Sequence, residues 1–130
     1  MCLAKKGRFK PCTVGYKVVR RSNGAYKGEL WGEKTMPVGE WLNETDYRER
    51  AFRGEKRLFC EVSEVEYRMG WHVFHDLASA LRWREIRKNV VVKVEVAEPV
   101  ATGYQNLGLM SYDGHKTTVA KQIKILEEVQ

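Results

Sequence analysis

Asn23-Gly24, set between "GYKVVRRS" and "AYKGELWG", constrains the fold of this chain more than any other pair of residues. The central positions of a type I′ turn need positive φ, which Asn and Gly adopt readily, and the flanking runs are rich in strand formers. A β-hairpin near the N-terminus is therefore predicted. The strand signal recurs in "GWHVF" from Gly70, where Trp71, Val73 and His75 fall on one side and His72 and Phe74 on the other. It recurs again in "VVVKVEV", Val90 to Val96, with Val92, Val94 and Val96 on one face, and in "TTVAKQIKIL", where Val119, Ile123 and Ile125 share a face with Lys121 as its discordant member. "LFCEV", Leu58 to Val62, reads as a short strand.

One helix interrupts this pattern. Asp76 is placed to cap it, and Leu77, Ala80, Leu81 and Ile86 form one stripe up to about Arg87, with Asn89 closing it. Residues 35 to 57 carry Pro37, Gly39 and Gly54 and read as a connection with a helical turn around Glu44 to Phe52. Pro99 to Gly114 reads as a loop or an irregular strand. The fold class is α+β: a compact, mainly antiparallel arrangement of sheet with an N-terminal β-hairpin and one principal helix. At 130 residues the chain fits one domain with its own core. The expected organisation is a basic N-terminal arm over residues 1–13 and a single α+β domain over 14–130.

Charge is unevenly placed. The net charge is +6, yet no Asp or Glu precedes Glu29, and the first 28 residues hold eight cations. The remaining 102 residues hold 15 basic and 17 acidic side chains, so the cationic excess belongs to the N-terminal fifth. Lys5, Lys6, Arg8 and Lys10, extended by Arg20 and Arg21 in the hairpin, are the candidate contacts for an acidic protein partner or for nucleic acid. No apolar run approaches the roughly 20 residues of a membrane helix. There is no secretory h-region, and three cysteines without framework spacing point to a reducing, cytoplasmic setting.

Catalytic and metal motifs are incomplete. His72 and His75 face opposite sides of a strand, and Cys2, Cys12, Cys60 and His115 show no paired zinc spacing. Cys2 behind a removable Met1 would offer an N-terminal thiol, but "CLAKK" lacks a Gly-rich continuation. Glu64 and Glu66 read as a solvated strand edge. Trp71 and Trp83 are expected in the core, with Trp31 and Trp41 left open between packing and base stacking.

The run "GWHVFHDLASALRWRE" followed by "NVVVKVEVAEPVATG" resembles the middle segment of the ADP-ribosyltransferase family. The resemblance implies NAD as cofactor, with Arg20 on an early strand holding it and His72 at the aromatic position that packs on nicotinamide, the two forming a cleft. The family's catalytic Glu would fall near Thr117 or Thr118, where no carboxylate stands, which implies that transfer is lost. The style of "GYKV", "MGWHVF" and "VAKQIKIL" also resembles small proteins encoded by phages and prophages, which implies a modifier of a host factor in the host cytoplasm. Together these readings favour a non-enzymatic binding module without cofactor or metal, and a degenerate NAD-binding protein as the alternative.

Overall fold

The computed structural model describes the chain apart from residues 1, 2, 4, 29–33, 48–56, 61–64, 88, 106–114 and 130. Its longest elements are β8 (Val90–Gln105) and β9 (His115–Glu128), paired antiparallel from Val92↔Glu128 to Gln105↔His115. Four further strands attach directly to this ribbon. On the free edge of β8 lie β2 (Val14–Ser22), paired from Val14↔Glu95 to Val19↔Val90, and β1 (Lys5–Lys6), paired with Tyr104 and Gly103. On the free edge of β9 lie β7 (Trp71–Phe74) and β4 (Trp41–Asn43). A single pair, Tyr16↔Phe74, joins β2 to β7. The pairings β8–β2–β7–β9–β8 thus return to their start, and the sheet curls into a ring.

The narrow β2–β7 seam has a steric basis. A Cβ on Gly15 would stand 2.5 Å from Val73 Cγ1 and 2.6 Å from the Phe74 carbonyl oxygen, so only glycine lets these strands approach. Beside it the Lys17 ammonium donates to the His72 carbonyl at 3.1 Å, bridging the seam where a backbone ladder bond is missing.

The hairpin forms as predicted: β2 and β3 (Ala25–Lys27) meet at Asn23 and Gly24, both at positive φ. Strand 71–74 and the helix α1 (Leu77–Arg87) also follow the sequence pattern, and the Asp76 carboxylate accepts from the Ser79 N–H at 2.8 Å. Val18, Phe74, Ala80, Trp83 and Val91 bury α1 against one side of the sheet. Val19, Leu42, Trp71, Val73, Val92, Val94, Ile123 and Ile125 fill the other, so Trp71 and Trp83 are both core, as expected. The predicted inward face of β9 divides: Val119 packs with Leu3 and Tyr67, away from Ile123 and Ile125.

Several elements go beyond the sequence reading. β5 (Arg57–Cys60), part of the expected strand at 58–62, pairs with β6 (Val65–Arg68) in a separate two-stranded sheet. The helical turn expected at 44–52 is a 3-10 helix over Glu44–Asp46 in its described part. Pro99 and Gly103 lie inside β8, with a register break between Pro99 and Ala101. Proline is tolerated at such a bulge because the ladder is already interrupted. Leu3 is fully buried and Lys5–Lys6 joins the sheet, so part of the N-terminal segment is built into the structure.

Replacing Gly15 by Ala is expected to lower stability by about 1–3 kcal/mol, since its Cβ would press on backbone. Equilibrium urea denaturation measures this. An unchanged midpoint would show that the seam tolerates a side chain.

Candidate anion-binding surface

The N-terminal segment continues along β8 beyond β1: the Gly7 N–H donates to the Thr102 carbonyl at 2.9 Å, and the Thr102 hydroxyl donates back to the Gly7 carbonyl at 3.0 Å. Gly7 leaves room for the Phe9 ring, which a Cβ at this position would meet. The Phe9 ring is thereby folded inward, edge-on to His75 at 5.1 Å and to Tyr104 at 5.3 Å, with the Lys116 ammonium 5.3 Å from its centroid. Lys6, Arg8 and Lys10 alternate with Gly7 and Phe9 and are exposed, as is Lys116. Phe9, His75 and Tyr104, from three separate parts of the chain, thus form an aromatic cluster under Lys116, with Lys6, Arg8 and Lys10 exposed on the same segment as Phe9.

A buried polar layer supports this surface. His75 Nε2 lies 2.6 Å from Thr118 Oγ1, which also accepts from the Cys12 N–H at 3.1 Å. Burial pushes the Cys12 thiol up from its ordinary value, which leaves it protonated and a poor nucleophile. Burial, helped by Lys116 and opposed by Asp76, lowers His75, so the imidazole is neutral and the positive charge resides on the lysine and arginine heads. Ser79 Oγ and His115 Nδ1 are 2.6 Å apart, but Ser79 is only 2% exposed and ties α1 to β9 rather than meeting solvent. Thr117, where the family resemblance would need a carboxylate, is buried and donates to Gln105 and to the His115 carbonyl.

The sequence-predicted basic residues fall into two places. Lys5 and Lys6 pair at the Gly103–Tyr104 end of β8, whereas the β2–β3 hairpin bearing Arg20 and Arg21 lies beyond the Val19↔Val90 pair at its other end. At ~3.3 Å per residue these ends are roughly 40 Å apart along the strand. Arg21 forms an ion pair with Glu128 at 3.1 Å, and the Tyr26 hydroxyl donates to the same carboxylate. Arg20 Nε donates to the Gly28 carbonyl at 2.9 Å. The two groups of cations thus stand at opposite ends of β8. Trp31 and Cys2 lie outside the described residues. Trp41 is 43% exposed at the β4 edge under Lys124, 4.7 Å from its ring.

His72 occupies a third place. The Leu3 N–H donates to Tyr67 Oη at 3.0 Å, so the phenol directs its own proton to His72 Nε2 at 2.9 Å. That assigns a neutral imidazole protonated on Nδ1. Complete burial, reinforced by Lys17, lowers its pKa to about 3 against a weaker contrary hydrogen bond with the Gly70 backbone. The described contacts of Arg20 and His72 do not overlap, and His72 is enclosed rather than lining an open face.

Phe9, Tyr104 and Lys116 were not singled out by sequence, and His75 and Thr118 were weighed there only in other roles. Only Phe9 left a signal, as an aromatic residue between Arg8 and Lys10. Compared with protein-family models, curated proteins and solved structures, the chain matches none.

Unfolded His binds its proton near pH 6.5 and folded His72 only near pH 3, so the unfolded state holds more protons between those values. Stability is therefore complete above about pH 6.5 and falls as pH drops toward 3, by about 1.4 kcal/mol per pH unit from this group. Comparing urea stabilities of the wild type and His72→Gln over that window isolates the contribution. The variant should show the shallower slope; parallel profiles would refute the assignment.

Proposed function

We propose that the protein is a non-enzymatic binding module that engages single-stranded nucleic acid through the surface built around Phe9. One observation carries the reading: Lys116 lies over the Phe9 ring, which meets Tyr104 edge-on, and Lys6, Arg8 and Lys10 are exposed on the same N-terminal segment as Phe9. Cations along a strand neutralise successive phosphates, and aromatic rings among them give bases a surface to pack on. The alternation of exposed and half-buried residues from Lys6 to Lys10 keeps the charges outward while Phe9 fixes the segment. Because the segment is hydrogen-bonded to β8 through Gly7 and Thr102, its charges are positioned before a partner arrives, which lowers the entropy lost on binding. An acidic protein is the competing partner, served by the same charges but with less use for the rings.

Fluorescence anisotropy with a short oligodeoxythymidine should give an affinity whose logarithm falls with log salt at a slope of about −3, for four contacts on a single strand. Replacing Lys6, Arg8, Lys10 and Lys116 together by Ala should weaken binding at least about tenfold and flatten the slope. Arg21→Ala, at the other end of β8, should leave both unchanged. Equal affinity for polyglutamate would reassign the surface to an acidic protein, and absence of binding to either would overturn the proposal.

A further inference from the structure

We propose that a second, separate site lies between β4, the end of β6, the bend of β8 and β9, and that it binds a small zwitterion of the free α-amino-acid type anchored by Lys121. Lys121 is the residue that breaks the apolar pattern of β9, and its neighbours two positions away on either side, Val119 and Ile123, are both fully buried. It is itself half-buried and has no hydrogen bond or ion pair among the described residues. Withdrawing an ammonium partly from water without a partner is unfavourable. What Lys121 does face is a cavity of about 210 Å³, lined with it by Arg68, Glu98, Asn43, Met69 and Glu44.

Two features of that lining point the same way. Arg68 and Glu98, both exposed at the mouth of the cavity, also lack partners among the described residues, so charges of both signs border its opening. Glu98 is held at φ 53, a left-handed conformation uncommon for a residue with a side chain, directly before the register break at Pro99. Strained backbone of this kind persists where the surrounding structure enforces it, and it concentrates at ligand sites.

Shape and charge together restrict the ligand. The cavity is smaller than the roughly 300–1,000 Å³ of sites for drug-sized molecules, which leaves room for one metabolite. A carboxylate suits Arg68 and Lys121, since guanidinium and ammonium both give charge-assisted hydrogen bonds. An ammonium suits Glu98. Met69, almost fully buried, supplies an apolar wall for a side chain. A ligand carrying both charges engages both sides of the opening, whereas one carrying a single charge engages only one of them.

Thermal denaturation with each standard amino acid in turn, followed by calorimetric titration of those that raise Tm, tests the site on the full chain. At least one amino acid should raise Tm and bind saturably, whereas its deaminated acid and its decarboxylated amine should bind at least about tenfold more weakly. Lys121→Met should raise the ligand-free Tm by removing the unpartnered charge, and should weaken binding at least about tenfold; Lys121→Gln should weaken it equally, and Glu98→Gln should weaken it as well. The proposal is overturned if no amino acid shifts Tm at tens of millimolar, if either half-ligand binds as well as the whole, or if affinity survives the loss of the Lys121 charge. None of these readouts depends on the surface around Phe9.

Discussion

The β8–β9 ribbon is the constraint on which the rest of the structure depends. Its inner edges pair with each other over most of their length, and its outer edges receive β1, β2, β4 and β7, none of which is paired over more than a short run elsewhere in the main sheet. Contacts so distant in sequence are assembled late and together, because loop closure is opposed by entropy until several pairs form. The ribbon also sets the positions of the proposed sites. Its Tyr104–Lys116 end carries the basic and aromatic cluster, its bend at Pro99 carries Glu98, and its far end receives the hairpin.

Buried polar groups beside the β2–β7 seam are consistent with this architecture. Lys17 is buried, yet its ammonium bridges the β2–β7 seam and lies 5.4 Å from the Trp71 ring, so the charge is received by a carbonyl and an aromatic face. His72, on the other face of β7, is neutral because it is buried and a cation is nearby. Tyr67 couples that histidine to Leu3, and the N-terminal segment is thus secured at one end by a buried hydrogen bond and along its length by β8. The surface around Phe9 inherits its order from these two attachments.

Much of the fold was legible where local chemistry decides structure. Asn23-Gly24 specifies its turn, Asp76 caps its helix, and Val92 and Val94 alternate into the core. What was hidden is decided by partners rather than by local pattern. β1 and β4 are two and three residues long and exist because β8 and β9 offer unpaired edges. β8 runs through Pro99 and Gly103, residues that normally punctuate strands, because the bulge absorbs the missing donor. The candidate site was half legible. Charge counting found Lys6, Arg8 and Lys10 but also joined them to Arg20 and Arg21, which the ribbon holds far away, and counting has no means of placing Tyr104 and Lys116 beside Phe9.

The proposed function therefore rests on location: an anionic partner would meet the β1 end of the ribbon and not the hairpin end. Backbone amide chemical-shift mapping during titration of the intact protein with a short single-stranded oligonucleotide measures that directly. The account predicts that the largest shifts cluster at Lys6, Arg8, Phe9, Lys10, Tyr104 and Lys116. Shifts centred instead on Arg20, Arg21 and Tyr26, with the Phe9 cluster unmoved, would contradict it.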